Sequence, residues 1–210
     1  MIRVGLVDTG IAGALAGSVA AARAFAGAPC TEDRHGHGTA VARIILGHAP
    51  QARLLNAQTF GPGARAEAAA VADALRWLIA ERARLVNLSL GLAQDRDVLR
   101  TAVAEALAAD LILVASTPVR GVPVYPAAYP GVVRVTGDAR CAPGELSDLG
   151  GAPADYGACP RHLDGTSGGA SLAAAHVTGL LALGLATGDT DAASILGHAL
   201  RFRGRERRQR

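Results

Sequence analysis

Three short segments carry the residue types that nucleophilic chemistry needs. The first is Gly5-Leu6-Val7-Asp8-Thr9-Gly10, a carboxylate at the end of an apolar run. Such a carboxylate can accept the Nδ1–H of a histidine and fix its tautomer, although Asp-Thr-Gly alone is equally a plain strand-to-loop turn. The second is Asp33-Arg34-His35-Gly36-His37-Gly38-Thr39-Ala40-Val41-Ala42, where glycines on both sides of His37 let the backbone turn and leave the imidazole exposed. His35, His37 and Cys30 also lie close enough in sequence to raise a metal reading. Their spacing matches no zinc pattern, and no second ligand cluster follows. The third segment, residues 164–179, places Ser171 after a glycine-rich stretch and at the head of an apolar helical pattern. A serine there is an N-cap on the plain reading. On the chemical one it is a nucleophile beside free N–H groups that favour a developing oxyanion.

Positioning such groups takes a rigid scaffold, and the hydrophobic pattern supplies one. Apolar runs at 2–7, 54–58, 85–88, 111–115 and 132–135 read as strands. Helical spacing covers 66–83, 97–109 (with Asp97 as its cap), about 171–187 and 190–201, and a Gly-Pro-Gly turn falls at 61–63. Strands alternating with helices predict right-handed crossovers and a mostly parallel sheet with helices on both faces, an α/β fold. Functional groups then gather at the carboxyl ends of the strands, where Asp8 and Ser89 fall.

Composition bounds the rest. The 210 residues are half hydrophobic, with a mean hydropathy of +0.25 but only 3% aromatic, so one domain with an aliphatic core is expected. Every one of the 21 basic residues is arginine, and six of them lie in the last ten positions. Without that tail, 15 arginines face 17 acids, so the body is slightly acidic. The expected organisation is a domain over 1–200 and a solvated, poorly ordered tail over 201–210. The tail by itself does not make a nucleic-acid-binding protein, since the body has no basic stripe or aromatic platform. No secretory signal is recognisable at the amino end, and no run reaches the ~18 apolar residues of a membrane span, so a cytoplasmic location is expected. Cys30, Cys141 and Cys159 form no disulfide framework; reduced thiols are expected, with a Cys141–Cys159 bridge the alternative.

In the order Asp, His, Ser, the three segments resemble those of the subtilisin-like serine proteases, or subtilases. Further stretches share the likeness: Ala49-Pro50, Asn87-Leu88-Ser89-Leu90-Gly91, and Tyr125-Pro126-Ala127-Ala128-Tyr129-Pro130. The resemblance implies the subtilisin-like three-layer fold and a catalytic triad of Asp8, His37 and Ser171. Ser167 matches a literal Gly-Thr-Ser. With Ser171 as nucleophile, however, Ala173, His176, Val177 and Gly179 all fall in the family register, so Ser171 is preferred. Residues Ser89, Leu90 and Gly91 are implied to pair with an extended substrate. In ungapped register Val119 stands where the family carries its oxyanion-hole asparagine, leaving Ser116 or Thr117 as other possible donors. Residues 43–48, where many subtilases insert a calcium loop, hold no carboxylate or amide side chain. No metal or cofactor is therefore expected, and with the first strand at the start of the sequence, folding without a pro-segment is expected.

The implied activity is that of a serine endopeptidase processing a dedicated peptide or leader, with a peptide-binding pseudo-protease as the alternative. In size and layout the chain also resembles leader peptidases of modified peptides, including the group that trims the small subunit of quinohemoprotein amine dehydrogenase. The expected partner is a peptide or protein substrate, with neither nucleic acid nor membrane; sequence leaves the oligomeric state open.

Overall fold

A computed structural model describes residues 1–26, 33–61, 65–151, 153–166 and 168–204. The apolar runs become strands close to their expected bounds: β1 (Arg3–Asp8), β3 (Arg53–Gln58), β4 (Leu85–Leu88), β5 (Ile112–Ser116) and β6 (Val133–Gly137). Four more were not anticipated: β2 (Val19–Ala24), β7 (Leu146–Gly151), β8 (Ala154–Ala158) and β9 (Leu200–Arg203). Helices α1 (His37–His48), α2 (Ala68–Ala80), α3 (Asp97–Ala108), α4 (Ala170–Ala186) and α5 (Ala192–Ala199) complete the order. The nine strands form one sheet, β2-β3-β1-β4-β5-β6-β8-β7-β9, in which every pairing is parallel except β7 with β8.

Two apolar clusters sandwich this sheet. One joins it to α1, α4 and α5, the other to α2 and α3, giving the three layers the α/β reading required. Fully buried aliphatic residues such as Leu6, Leu54, Leu85 and Leu113 fill both, each worth roughly 1.5–3 kcal/mol of burial. Helix α4 is apolar on all sides and packs against α1, α5 and strands β4, β5, β6 and β8. A helix without a polar face belongs in the interior.

Three expectations need correcting. Asp97 does not cap α3: the cap position is Arg96, and Asp97 is the first helical residue, held by Arg100 at 2.6 Å. The last helix stops at Ala199, after starting from Asp191, whose carboxylate accepts from the Ala193 and Ser194 amides. The supposed tail then begins as strand. Residues 200–203 alternate partly buried and exposed and pair with β7, and Gly204 N–H bonds to the Asp148 carbonyl at 2.8 Å. Period-two alternation on a sheet edge outweighs the arginine content. Residues 205–210 lie outside the described residues, as do Cys30, Ser167 and most of the 61–63 turn. Helix α1 runs unbroken through 43–48 and reaches β3 by residues 49–52.

Candidate active site

Register places the functional groups side by side. Val7 pairs with Leu88 and Leu88 with Ala115, so Asp8, Ser89 and Ser116 emerge together at the carboxyl ends of three neighbouring strands. Asp8 is wholly buried. Its Oδ1 accepts the Thr9 N–H at 2.7 Å and meets His37 Nδ1 at 2.7 Å, while its Oδ2 is buried with no hydrogen-bond partner among the described residues. The hydrogen bond to Asp8 raises the His37 pKa above its ordinary 6.5; desolvation opposes this, and the charges of Asp8 and Asp33 add to it. The His37 side chain remains 38% exposed, so its far nitrogen is open to solvent and substrate.

The glycines around His37 have distinct reasons. Gly36 is the residue preceding α1 and sits at φ +74°, where a side chain is strained. At Gly38 a Cβ would fall 2.2 Å from the Gly10 carbonyl oxygen and 3.1 Å from Asp8 Oδ1. Only glycine lets the first turn of α1 press against the end of β1, which is what brings His37 onto Asp8.

Asp33 was quoted in the histidine segment without a role, and the structure gives it one. Its Oδ1 accepts from Thr9 Oγ1 and the amides of His35 and Gly36; its Oδ2 accepts from the amide and hydroxyl of Thr39. Those five bonds, 2.7–3.1 Å long, cap α1 and tie it to the residue after Asp8. Burial alone would raise the Asp33 pKa. The bonds from Thr39, Thr9 and Gly36 outweigh it and hold the carboxyl below the usual range. An aspartate a few residues ahead of a helix start is the capping signal that could have revealed it.

Ser171 is the second residue of α4, after a cap position at Gly169, so it is not itself the N-cap. Its N–H lies in the first turn, where no intrahelical acceptor exists. The turn is fixed by a buried polar chain: Thr178 Oγ1 donates to Asn87 Oδ1 at 2.9 Å, and Asn87 Nδ2 to Ser89 Oγ at 2.7 Å. Ser89 Oγ continues to the Ser171 carbonyl at 3.3 Å. Thr178 and Asn87 position the serine, although in sequence Thr178 reads as a core polar residue and Asn87 only as part of a family-like strand. Ser171 Oγ itself faces the Ser89 carbonyl at 3.5 Å rather than His37; such contacts are often long in a free site and tighten around substrate.

A cavity of about 460 Å³ opens at Ser171, between residues 89–92 on one side and Phe60, Arg65 and Ala66 on the other. An antiparallel bridge between Phe60 and Ala66 shapes the second wall. Gly91 packs so closely on Val124 that a Cβ would lie 3.1 Å from two of its carbons. Ser116 lines the same cavity. Thr117 and Val119 instead line a neighbouring one of about 600 Å³, with Val119 48% exposed and the Thr117 N–H already bonded to the Val135 carbonyl. Of the three candidate oxyanion residues, Ser116 alone shares the Ser171 cavity.

The chain matches the subtilase family (Peptidase_S8) over residues 2–193 and belongs to it. It is 34% identical to a thermostable alkaline protease of Halalkalibacterium halodurans over 146 residues, which are 63% of this chain and 40% of that protein. Subtilisin BL of Lederbergia lenta is 31% identical, over 64% of this chain and 54% of its own. The chain thus spans about half or less of the length of these curated relatives. Among solved structures, a lanthipeptide protease superposes with a TM-score of 0.70, covering 93% of this chain and 78% of that one at 19% identity. That likeness establishes the subtilisin-like three-layer fold.

Proposed function

We propose that this chain is a serine endopeptidase. His37, oriented by Asp8, removes the Ser171 proton; Ser171 attacks a peptide carbonyl to form an acyl-enzyme, which water then hydrolyses. The 2.7 Å contact between His37 Nδ1 and Asp8 Oδ1 carries this reading, since a partly exposed imidazole on a buried carboxylate is a general base already aimed. The Ser171 N–H and the Ser116 hydroxyl are the groups on hand for the oxyanion. Residues 89–91 receive the substrate as an added strand. The task is trimming of a dedicated peptide. The fold shared with a lanthipeptide protease is compatible with that, and the two described cysteines, both buried and free, suit a reducing compartment such as the cytoplasm. Among the described residues no helix is long and apolar enough to cross a membrane.

A second reading, a peptide-binding module without turnover, is favoured by the described lining of the Ser171 cavity, which holds no asparagine side chain to donate to an oxyanion. A fluorophosphonate probe separates the two. Label mapped to Ser171, absent in His37→Ala, supports the endopeptidase; label on Ser167 would shift the register; a chain that neither labels nor cleaves is the binding module.

A further inference from the structure

The wall of the Ser171 cavity carries a charge that acyl transfer does not use. We propose that Arg65 reads the substrate's charge, so that peptides with Asp or Glu on the acyl side of the scissile bond are selected. This rests on the endopeptidase reading and names its substrate class. Among the described residues lining the cavity, Arg65 is the sole charged one; the others are apolar or carry a hydroxyl. The neighbouring carboxylates are already committed, Asp8 to His37 and Asp33 to its five donors. Among the described residues that line it, the cleft thus offers a cation and no anion.

Arg65 is also uncommitted. Arg3, Arg76, Arg100, Arg134 and Arg140 each hold a carboxylate within 4 Å, whereas Arg65 has no ion pair among the described residues, although Glu67 lies two positions on. The neighbouring Ala66 is held by the Phe60–Ala66 bridge, and Arg65 lines the Ser171 cavity together with residues 89–92. A guanidinium there presents a planar fork matching a carboxylate in two parallel hydrogen bonds. Arg65 is itself exposed, so the attraction is a solvated one that salt weakens.

The test uses fluorogenic peptides carrying Glu, Gln or Lys at each of four positions on the acyl side. For the wild type, kcat/KM is expected to favour Glu over Gln by at least tenfold at one position, with the preference shrinking as salt rises. Arg65→Gln should erase it, and Arg65→Glu should invert it toward Lys. Binding of the same peptides to Ser171→Ala, followed by fluorescence anisotropy, gives a readout without turnover and should keep the Glu preference. If the wild type labels and cleaves with no charge preference, and Arg65→Glu alters nothing, Arg65 is a solvated surface residue and the inference fails alone. If nothing is cleaved or labelled yet Ser171→Ala still prefers Glu, the endopeptidase reading fails and the Arg65 site stands.

Discussion

Acid should unfold this protein through one imidazole. His176 on α4 is 1% exposed; its Nδ1 meets His48 Nε2 at 2.9 Å, and its Nε2 faces the Arg161 carbonyl at 3.4 Å. That pattern suits neutral rings, with His48 donating to His176 and His176 donating to Arg161. A further proton would have to enter the 2.9 Å gap. Desolvation first, and the charge of His48 second, push the His176 pKa down from 6.5 to about 4. Between those values the unfolded chain binds a proton that the native one refuses, so this contribution is intact above pH 6.5 and lost as pH falls toward 4. From pH 8 to 5 the loss is about 2 kcal/mol, rising toward about 3 kcal/mol at full protonation. His48, also depressed by burial, adds in the same direction. His37 has the opposite sign, since its raised pKa stabilises below pH 6.5 and that gain fades as pH rises through the folded value. Urea unfolding of wild type and His176→Asn at half-unit steps from pH 8 to 5 isolates the term. The variant is less stable at pH 8, and the gap should narrow by about 2 kcal/mol by pH 5. Parallel curves would refute the reasoning.

The base must be neutral to work, so kcat/KM should climb with pH through an inflection above 6.5, and Asp8→Asn should lower turnover by about 10⁴-fold. Asp33→Ala should cost about 1–3 kcal/mol in urea unfolding by uncapping α1 and orphaning the Thr39 and Thr9 donors, with Asn restoring part of it. Because α1 passes through 43–48 as continuous helix, EDTA should leave the thermal midpoint unchanged; a drop restored by calcium would count against a metal-free fold.

The strands of the sheet's centre were legible because they are apolar runs bounded by turns, helices α2 and α3 because their apolar residues repeat every three to four positions, and α4 because its apolar run is too long for a strand. Strands β2 and β7–β9 were not. Val19–Ala24 is alanine-rich and gains its conformation from pairing with β3; β7 and β8 carry the Gly and Asp that spell loops; β9 hides in a run of arginines. At the site, the residues proposed to do the chemistry are visible as types and spacing. Of those that hold them, Thr178 reaches Asn87 across 91 positions and Asp33 reaches Thr9 across 24, contacts only the fold shows, whereas the other four bonds of Asp33 are local to the start of α1. The oxyanion question turned on backbone path: alignment without gaps pointed to Val119, while the end of β5 delivers Ser116.

Helix α4 joins two properties that many enzymes keep apart. It bears Ser171, the proposed nucleophile, on its first turn and the middle of the hydrophobic core along its length. A copy opened far enough for its own core to be digested has therefore dismantled its scissors. On the endopeptidase reading, self-digestion must pass between molecules, one intact and one frayed, so its rate should grow with the square of concentration. The first cuts should fall in the peripheral segments, with the core cut last.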